Sequence, residues 1–152
     1  MAIHVAYLQD ADPLPATWVS WGNAIGGLEG NSGNPGYSSQ VQGIVSFAGA
    51  IADTAYLQNR DIPWIGFHAH RDGTVPDSIG YPFGLPLLPT LMGSQMMHVK
   101  SLQNGTFHEY YPYNGSYHPP YADGLPSTWD SIESKTAYFL YQLLACNTEG
   151  LS

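Results

Sequence analysis

The sequence predicts an α/β domain built on a mostly parallel β-sheet with flanking helices and long loops. Two apolar runs of strand length, residues 41–50 and 62–70, are rich in β-branched and aromatic side chains, as is typical of buried strands. A third candidate strand covers residues 106–113, and an amphipathic helical segment follows from Ser127. Strands that alternate with helices or long loops favour parallel pairing, because parallel neighbours need a crossover connection.

The first element is predicted to be a helix over residues 1–10. Ile3, Tyr7 and Leu8 recur at helical spacing, but no capping residue or turn precedes them. Residues 11–40 are crowded with Pro, Gly and Trp, so neither the helical nor the strand period persists. We expect a long structured loop there.

After the first two predicted strands, the chain continues with a loop and a helix. Residues 76–89 are dense in Pro and Gly and predict the loop. The helix is expected from Thr90 to a stop at Asn104 and Gly105. Its apolar face would carry Met92, Met96, Val99 and Leu102.

The final segment from Ser127 is predicted to pack one face of a helix on the sheet. The apolar stripe of this helix consists of Ile132, Thr136, Phe139, Leu140, Leu143 and Leu144. The chain has no internal repeat and no second compositional block, so residues 1–152 are expected to form a single domain.

Charge and composition exclude several classes of function. The formal net charge is −8 with four Lys and Arg in total, so no basic patch for nucleic acid or an anionic membrane can be assembled. The single cysteine, Cys146, excludes an intrachain disulfide and a thiolate metal cluster. No run of about 20 apolar residues predicts a membrane span. Residues 1–10 also lack the basic start and long apolar core of a signal peptide.

The stretch WIGFHAHRDGTVP, residues 64–76, is the strongest candidate for a functional site. His68 and His70 point to the same face of a strand and Asp72 follows in the turn, so the three could ligate one metal ion. Metallo-β-lactamase-like hydrolases carry a similar motif with a further histidine directly after the aspartate, where this chain has Gly73. Either histidine could equally be an ordinary strand-end residue with satisfied hydrogen bonds. Distant ligands available to a metal are His98, His108 and His118.

The same stretch also fits the acid of a hydrolase triad. Asp72 would lie at the carboxyl end of a strand, where open parallel sheets bind ligands. In hydrolases of this design, the nucleophile, the acid and the histidine follow in that chain order. His118 comes after the next helix and strand, in a loop with Gly and Pro residues. The pair Asp72 and His118 is therefore the second hypothesis for the site.

Together these segments resemble secreted-type esterases of the α/β-hydrolase fold over nearly the whole chain. The similarity rests on GLEGNSGNPGYSS, AGAIADTAYL, DIPWIGFH, the spacing of Asp and Val-Pro in HAHRDGTVP, and the histidine loop before a last helix. It implies the C-terminal half of that fold, with Asp72 as the triad acid and His118 as the general base. It also implies a secreted or periplasmic location. The family usually has small residues between the first histidine and the aspartate, where this chain has Ala69, His70 and Arg71.

The resemblance leaves the nucleophile unassigned. In these esterases the serine lies in a G-x-S-x-G elbow before the helix that corresponds to residues 1–10, so the elbow and the oxyanion hole are expected to precede Met1. Within the chain, Ser32 lacks the strand and helix of an elbow, and Ser94 is interpreted as the N-cap of a helix. Ser116 lies too close to His118 in one loop to point at its ring.

We therefore expect a carboxylic ester hydrolase that uses no cofactor, acts on a small-molecule ester and is complete only in a longer protein or with a complementing chain. The alternatives are a non-catalytic ligand-binding module and a metal-dependent hydrolase that uses His68, His70 and Asp72. Without the first half of the sheet, the strand at residues 41–50 would expose an edge. That edge, or the helices at residues 1–10, predicts a homo-oligomer.

Overall fold

A three-stranded sheet forms the centre of the structure. The computed structural model describes residues 2–9, 40–59 and 61–145, together with a few positions between 12 and 37. Most of the predicted loop at residues 11–40 lies outside the described residues. The main elements are helix α1 (Ala2–Tyr7), strands β1 (Ile44–Phe47), β2 (Ala50–Ile51), β3 (Trp64–Ala69), β4 (Ile79–Gly80) and β5 (Leu91–Gly93), helix α2 (Ser94–Asn104), strand β6 (His108–Tyr113) and helix α3 (Pro126–Ala145).

The central sheet has the strand order β1-β3-β6, and its strands run parallel, so the predicted α/β class is confirmed. Trp64 on β3 lies opposite Ile44 on one side and His108 on the other. All residues of β3 are buried, in agreement with its nearly continuous apolar sequence. This central strand leads directly into the motif that ends at Asp72.

One face of the sheet packs on α1 and α2. Trp64 is fully buried and donates its indole N–H to the hydroxyl of Ser101 on α2 at 2.9 Å. Ile3 and Tyr7 of α1 are buried in the same cluster, and the Tyr7 hydroxyl donates to the carbonyl of Ile62. The helix predicted at residues 1–10 is therefore present, with the narrower bounds Ala2–Tyr7.

The other face of the sheet packs on α3, as predicted for the last helix. Ile132 and Phe139 of α3 form a buried cluster with Ile65 and Phe67 of β3. The predicted apolar stripe is too wide, because one helix on a three-stranded sheet covers a narrower arc. Two members of the stripe lie at its solvent edge: Leu140 is 41% exposed and Leu144 is 67% exposed.

A second, antiparallel sheet with the order β2-β5-β4 corrects two predicted boundaries. Residues 41–50 do not form one strand, because Ala48 adopts a left-handed conformation (φ 50°) between β1 and β2. The helix predicted from Thr90 begins only at Ser94, because the preceding residues pair as β5 with β2 and β4. Residues 76–89, predicted as a loop, contain β4.

The buried face of α2 also differs from the predicted one. Ser94, Met97 and Ser101 face the sheet, whereas Val99 is 44% exposed and Leu102 is 63% exposed. The later start of the helix removes Met92 from it, and Met97 rather than Met96 is the buried methionine. No helix in the described part of the chain is long and apolar enough to cross a bilayer.

Candidate active site

Asp72 and His118 meet at the carboxyl end of the parallel sheet. Asp72 lies in the turn after β3, and His118 lies in the loop after β6. The two strands remain paired toward this point, since the N–H of His70 donates to the carbonyl of Tyr113 at 3.0 Å. Parallel neighbours end at the same edge of a sheet, so the two loops that follow them come together.

The carboxylate of Asp72 is buried and both of its oxygens are hydrogen-bonded. Oδ1 accepts the backbone N–H groups of Thr74 at 2.8 Å and Val75 at 3.0 Å. Oδ2 lies 2.6 Å from Nδ1 of His118, so the contact expected between the acid and the histidine is present. The two backbone bonds to Oδ1 leave Oδ2 free for the imidazole.

His118 has the ring orientation that a general base requires. A carboxylate oxygen only accepts, so Nδ1 carries the hydrogen of the bond to Asp72. Nε2 of the neutral ring then has a free lone pair. The side chain of His118 is 31% exposed.

His68 is fully buried behind Asp72. Its Nε2 lies 3.0 Å from the carbonyl oxygen of Val75, and its Nδ1 lies 2.8 Å from the hydroxyl of Ser94. Burial lowers the pKa of His68 below its usual 6.5, although the Val75 carbonyl and two nearby carboxylates act in the opposite direction. His68 is therefore a neutral, hydrogen-bonded ring.

His70 belongs to a second histidine–carboxylate pair. Its Nδ1 lies 3.0 Å from Oδ2 of Asp77, and the hydroxyl of Tyr110 donates to the same oxygen at 2.6 Å. Asp77 is buried, and its Oδ1 has no hydrogen-bond partner within the described residues. Burial, followed by the bond to Asp77, raises the pKa of Tyr110 far above its usual value, so its hydroxyl remains a donor.

The three residues of the metal hypothesis do not converge on one point. His68 directs both ring nitrogens, and Asp72 both oxygens, to hydrogen-bond partners within the protein. His70 turns its Nδ1 toward Asp77 instead. Across the described ranges, no three His, Cys, Asp or Glu side chains are grouped as metal ligands would be. The structure therefore does not support a shared metal site of His68, His70 and Asp72.

The predicted role of Ser94 as a helix cap is wrong. Gly93 occupies the N-cap position, and Ser94 is the first residue of α2. Its buried hydroxyl contacts Nδ1 of His68 and the carbonyl of Gly49, the latter at 3.2 Å. The close approach of α2 to the loop before β4 depends on Gly93, because a Cβ there would lie 2.0 Å from the carbonyl oxygen of Pro76.

The other two serines provide no contact with the histidine. Ser116 is exposed, and within the described part of the chain no serine is hydrogen-bonded to His118. Ser32 lies outside the described residues. The described residues therefore place an acid beside a histidine, and none of the described serines is hydrogen-bonded to that histidine.

Three residues of this site were not predicted from the sequence. Ser94 was not expected to contact His68, and neither Asp77 nor Tyr110 was expected at the site. Asp77 follows Pro76 in a stretch whose composition indicates only a loop. Tyr110 fits an ordinary strand pattern, so its bond to Asp77 depends on how β6 lies beside β3. No local sequence signal marks these contacts.

Acidification is expected to destabilise the protein through His68. Because burial lowers the pKa of His68 in the folded state, the unfolded chain binds the proton more readily below pH 6.5, and stability falls as the pH decreases from there. The slope reaches ~1.4 kcal/mol per pH unit while the folded ring stays neutral. Thermal melts of the wild type and His68→Gln between about pH 7.5 and pH 5 measure this effect.

Most other titrating groups are common to both proteins, so the difference between their melting temperatures isolates His68. We expect the wild type to lose stability faster than the variant as the pH falls. A difference that does not change with pH would contradict the assignment of a buried neutral ring.

The arrangement as a whole offers a hydrogen-bonded acid–histidine pair at a sheet edge, with one ring nitrogen free. Such a pair can remove a proton from a nucleophile and return it to a leaving group. Comparison of the chain with protein-family models, curated proteins and solved structures finds no match.

Proposed function

We propose that this chain carries the acid and the histidine of a serine-type carboxylic ester hydrolase. The observation that supports this most is the 2.6 Å contact between Nδ1 of His118 and the buried Oδ2 of Asp72, at the carboxyl edge of a parallel sheet. The resemblance of the sequence to esterases of the α/β-hydrolase fold assigns the same two residues to the same roles. The proposal therefore includes that the chain forms half of the α/β-hydrolase fold and that its substrate is a small-molecule ester.

In this mechanism, His118 Nε2 takes the proton of the attacking hydroxyl as the hydroxyl oxygen bonds to the ester carbonyl carbon. The imidazolium that forms is stabilised by its hydrogen bond to the Asp72 carboxylate. His118 then returns the proton to the alkoxide oxygen as the bond between the carbonyl carbon and that oxygen breaks. A water molecule repeats the sequence to release the acid.

The nucleophile in this proposal is a serine outside the described residues, in this chain or in a complementing chain. A fluorophosphonate probe, which reacts covalently with activated serines, tests this directly. Mass spectrometry of the labelled protein would identify the modified residue. Labelling that persists in His118→Ala would contradict an activated serine that depends on this pair.

Hydrolysis of p-nitrophenyl esters of short acids, measured with and without a chelator, tests the reaction class. We expect activity that resists the chelator and is lost after fluorophosphonate treatment. Activity that the chelator abolishes would instead indicate a metal-dependent hydrolase. No activity, together with saturable binding of the ester, would indicate a ligand-binding module.

We also propose that the chain forms a homo-oligomer through the free edge of β1. Within the described residues β1 pairs on one side only, with β3. The N–H groups of Ile44 and Ala48 donate toward β3, so by alternation those of Val45 and Phe47 point to the free edge. A pocket of about 210 Å³ along this edge is lined by Val5, Val41, Gly43, Ile44 and Val45. An edge of this kind is a template for pairing with another strand.

Replacing Val45 by proline is expected to raise the dissociation constant of the oligomer at least ~10-fold, because proline removes a backbone N–H donor from the edge. Light scattering over a dilution series measures the effect. Val45→Thr keeps the N–H and the branched shape and serves as the control. A wild-type chain that is already monomeric with a cooperative melt would contradict the proposed assembly.

A further inference from the structure

The loop that carries Asp72 is tied at its far end to His68. The N–H of Val75 donates to Oδ1 of Asp72 at 3.0 Å, and the carbonyl of the same residue lies 3.0 Å from Nε2 of His68. Val75 therefore contacts the acid through one backbone group and the buried histidine through the other. The chain runs from His68 near the end of β3 through Asp72 to Val75, and the bond from Val75 back to His68 closes a ring of covalent and hydrogen bonds.

These contacts select one tautomer of His68. A carbonyl oxygen only accepts, so the bond to Val75 requires the hydrogen on Nε2. Nδ1 of the neutral ring then presents a lone pair 2.8 Å from the hydroxyl of Ser94, whose single hydrogen has a second acceptor in the carbonyl of Gly49 at 3.2 Å. In the opposite tautomer, lone pairs of Nε2 and of the Val75 carbonyl would face each other, and the loop would lose its anchor.

His68 must also stay neutral for Asp72 to serve His118. Nε2 of His68 lies 3.5 Å from Oδ2 of Asp72, the same oxygen that binds His118 at 2.6 Å. A positive charge on His68 would compete with His118 for this carboxylate. Complete burial of the His68 ring disfavours that charge.

Ser94 and Asp77 both lie beside Nδ1 of His68. Oδ1 of Asp77 is buried without a hydrogen-bond partner in the described residues, and it lies 3.5 Å from Nδ1 of His68. An unpaired buried carboxylate oxygen favours a hydrogen on the nitrogen beside it. The hydroxyl of Ser94 opposes this when its hydrogen points to Nδ1, the nearer of its two acceptors, rather than to the carbonyl of Gly49. The groups around His68 thus include Asp72, Asp77, Ser94 and Val75, and His70 and His118 lie on the far sides of the two carboxylates.

We propose that His68 is a positioning residue for the Asp72–His118 pair: held as the Nε2–H tautomer by the carbonyl of Val75, with the hydroxyl of Ser94 beside Nδ1, it fixes the loop at residues 72–75 so that Oδ2 of Asp72 faces His118. Its consequence for catalysis rests on the esterase function proposed above. Its consequence for the geometry of His118 does not.

Two-bond ¹H–¹⁵N correlation spectra of the ¹⁵N-labelled protein report the tautomer of each histidine without requiring turnover. In the wild type we expect hydrogen on Nε2 of His68 and on Nδ1 of His118. Ser94→Ala deletes only the hydroxyl, so we expect His68 to gain hydrogen on Nδ1 and His118 to become a mixture of tautomers. The control is Ser101→Ala, which removes a buried hydroxyl of the same helix that bonds Trp64 instead. It should leave both histidine signals unchanged.

Substitutions of His68 separate its donor from its bulk. His68→Gln keeps an N–H donor that can reach the Val75 carbonyl, whereas His68→Leu fills the space without one. We expect His68→Leu to lower kcat for an ester by ~10-fold or more with KM changed less than ~2-fold, because a misplaced catalytic group costs rate rather than binding. His68→Gln should retain at least about a third of kcat.

The histidine spectra test the positioning role of His68, and the ester kinetics also test the proposed esterase function. If the signals of His118 stay unchanged in Ser94→Ala and in His68→Leu while only the melting temperature falls, His68 is a packing residue and the proposal is overturned. If His68→Leu does not fold, the Ser94→Ala spectra alone decide the point. A shifted His118 tautomer in a chain whose wild type hydrolyses no ester would support the positioning role and overturn the esterase function.

Discussion

Replacing His118 by alanine is expected to reduce the proposed ester hydrolysis by at least ~100-fold, because general acid–base catalysis typically contributes ~10² to 10⁴. The variant removes the imidazole whose Nδ1 is bound to Asp72 and whose side chain is 31% exposed. The loss should appear mainly in kcat, since the imidazole acts in the transition state. Initial rates with p-nitrophenyl acetate measure it.

His98→Ala is the matched control. His98 lies on α2, with its Nδ1 2.8 Å from Nε2 of His108 at the other end of β6, so this variant also removes a partly buried imidazole. It should retain activity within about 3-fold of the wild type. Addition of free imidazole should partly restore the His118→Ala variant and not change the control. Full activity of His118→Ala would remove this residue from the mechanism.

Replacing Asp72 by asparagine is expected to lower the rate by ~10³-fold or more while the fold is retained. The N–H groups of Thr74 and Val75 would hold the amide oxygen in the place of Oδ1, so the amide nitrogen would face Nδ1 of His118. That nitrogen donates rather than accepts, so the ring would be forced into the tautomer with its hydrogen on Nε2. A ring in this tautomer cannot accept a proton from the nucleophile.

Asp53→Asn provides the control for this substitution. Asp53 accepts the backbone N–H of Ala55 at 2.8 Å, a local bond of the same kind as that from Thr74 to Asp72, but it has no histidine partner among the described contacts. Rates and thermal melts of both variants should differ only in activity. An Asp72→Asn variant that keeps its rate would show that His118 does not depend on this carboxylate.

The three strands of the central sheet, β1, β3 and β6, and the last helix could be predicted because their local composition indicates burial. The nearly continuous apolar sequence of β3 predicts a strand covered on both faces, and the structure buries all of it. The spacing of Ile132 and Phe139 likewise predicts the face of α3 that packs on the sheet. The start of α2 could not be predicted, since Leu91 and Met92 suit a helix as well as a strand and only their partners in β2 and β4 decide.

The sequence by itself determined the α/β class, and the order of strands along the chain predicted that the loops carrying Asp72 and His118 lie at one edge of a parallel sheet. Only the tertiary structure decided what surrounds them. In it, the ring nitrogens of His68 contact Ser94 and Val75, and His70 contacts Asp77, so the residues of the metal hypothesis do not converge. The physical reason is that a side-chain hydrogen bond requires its donor and acceptor to be placed within a few tenths of an ångström. That placement depends on how separate elements pack, which local composition does not specify.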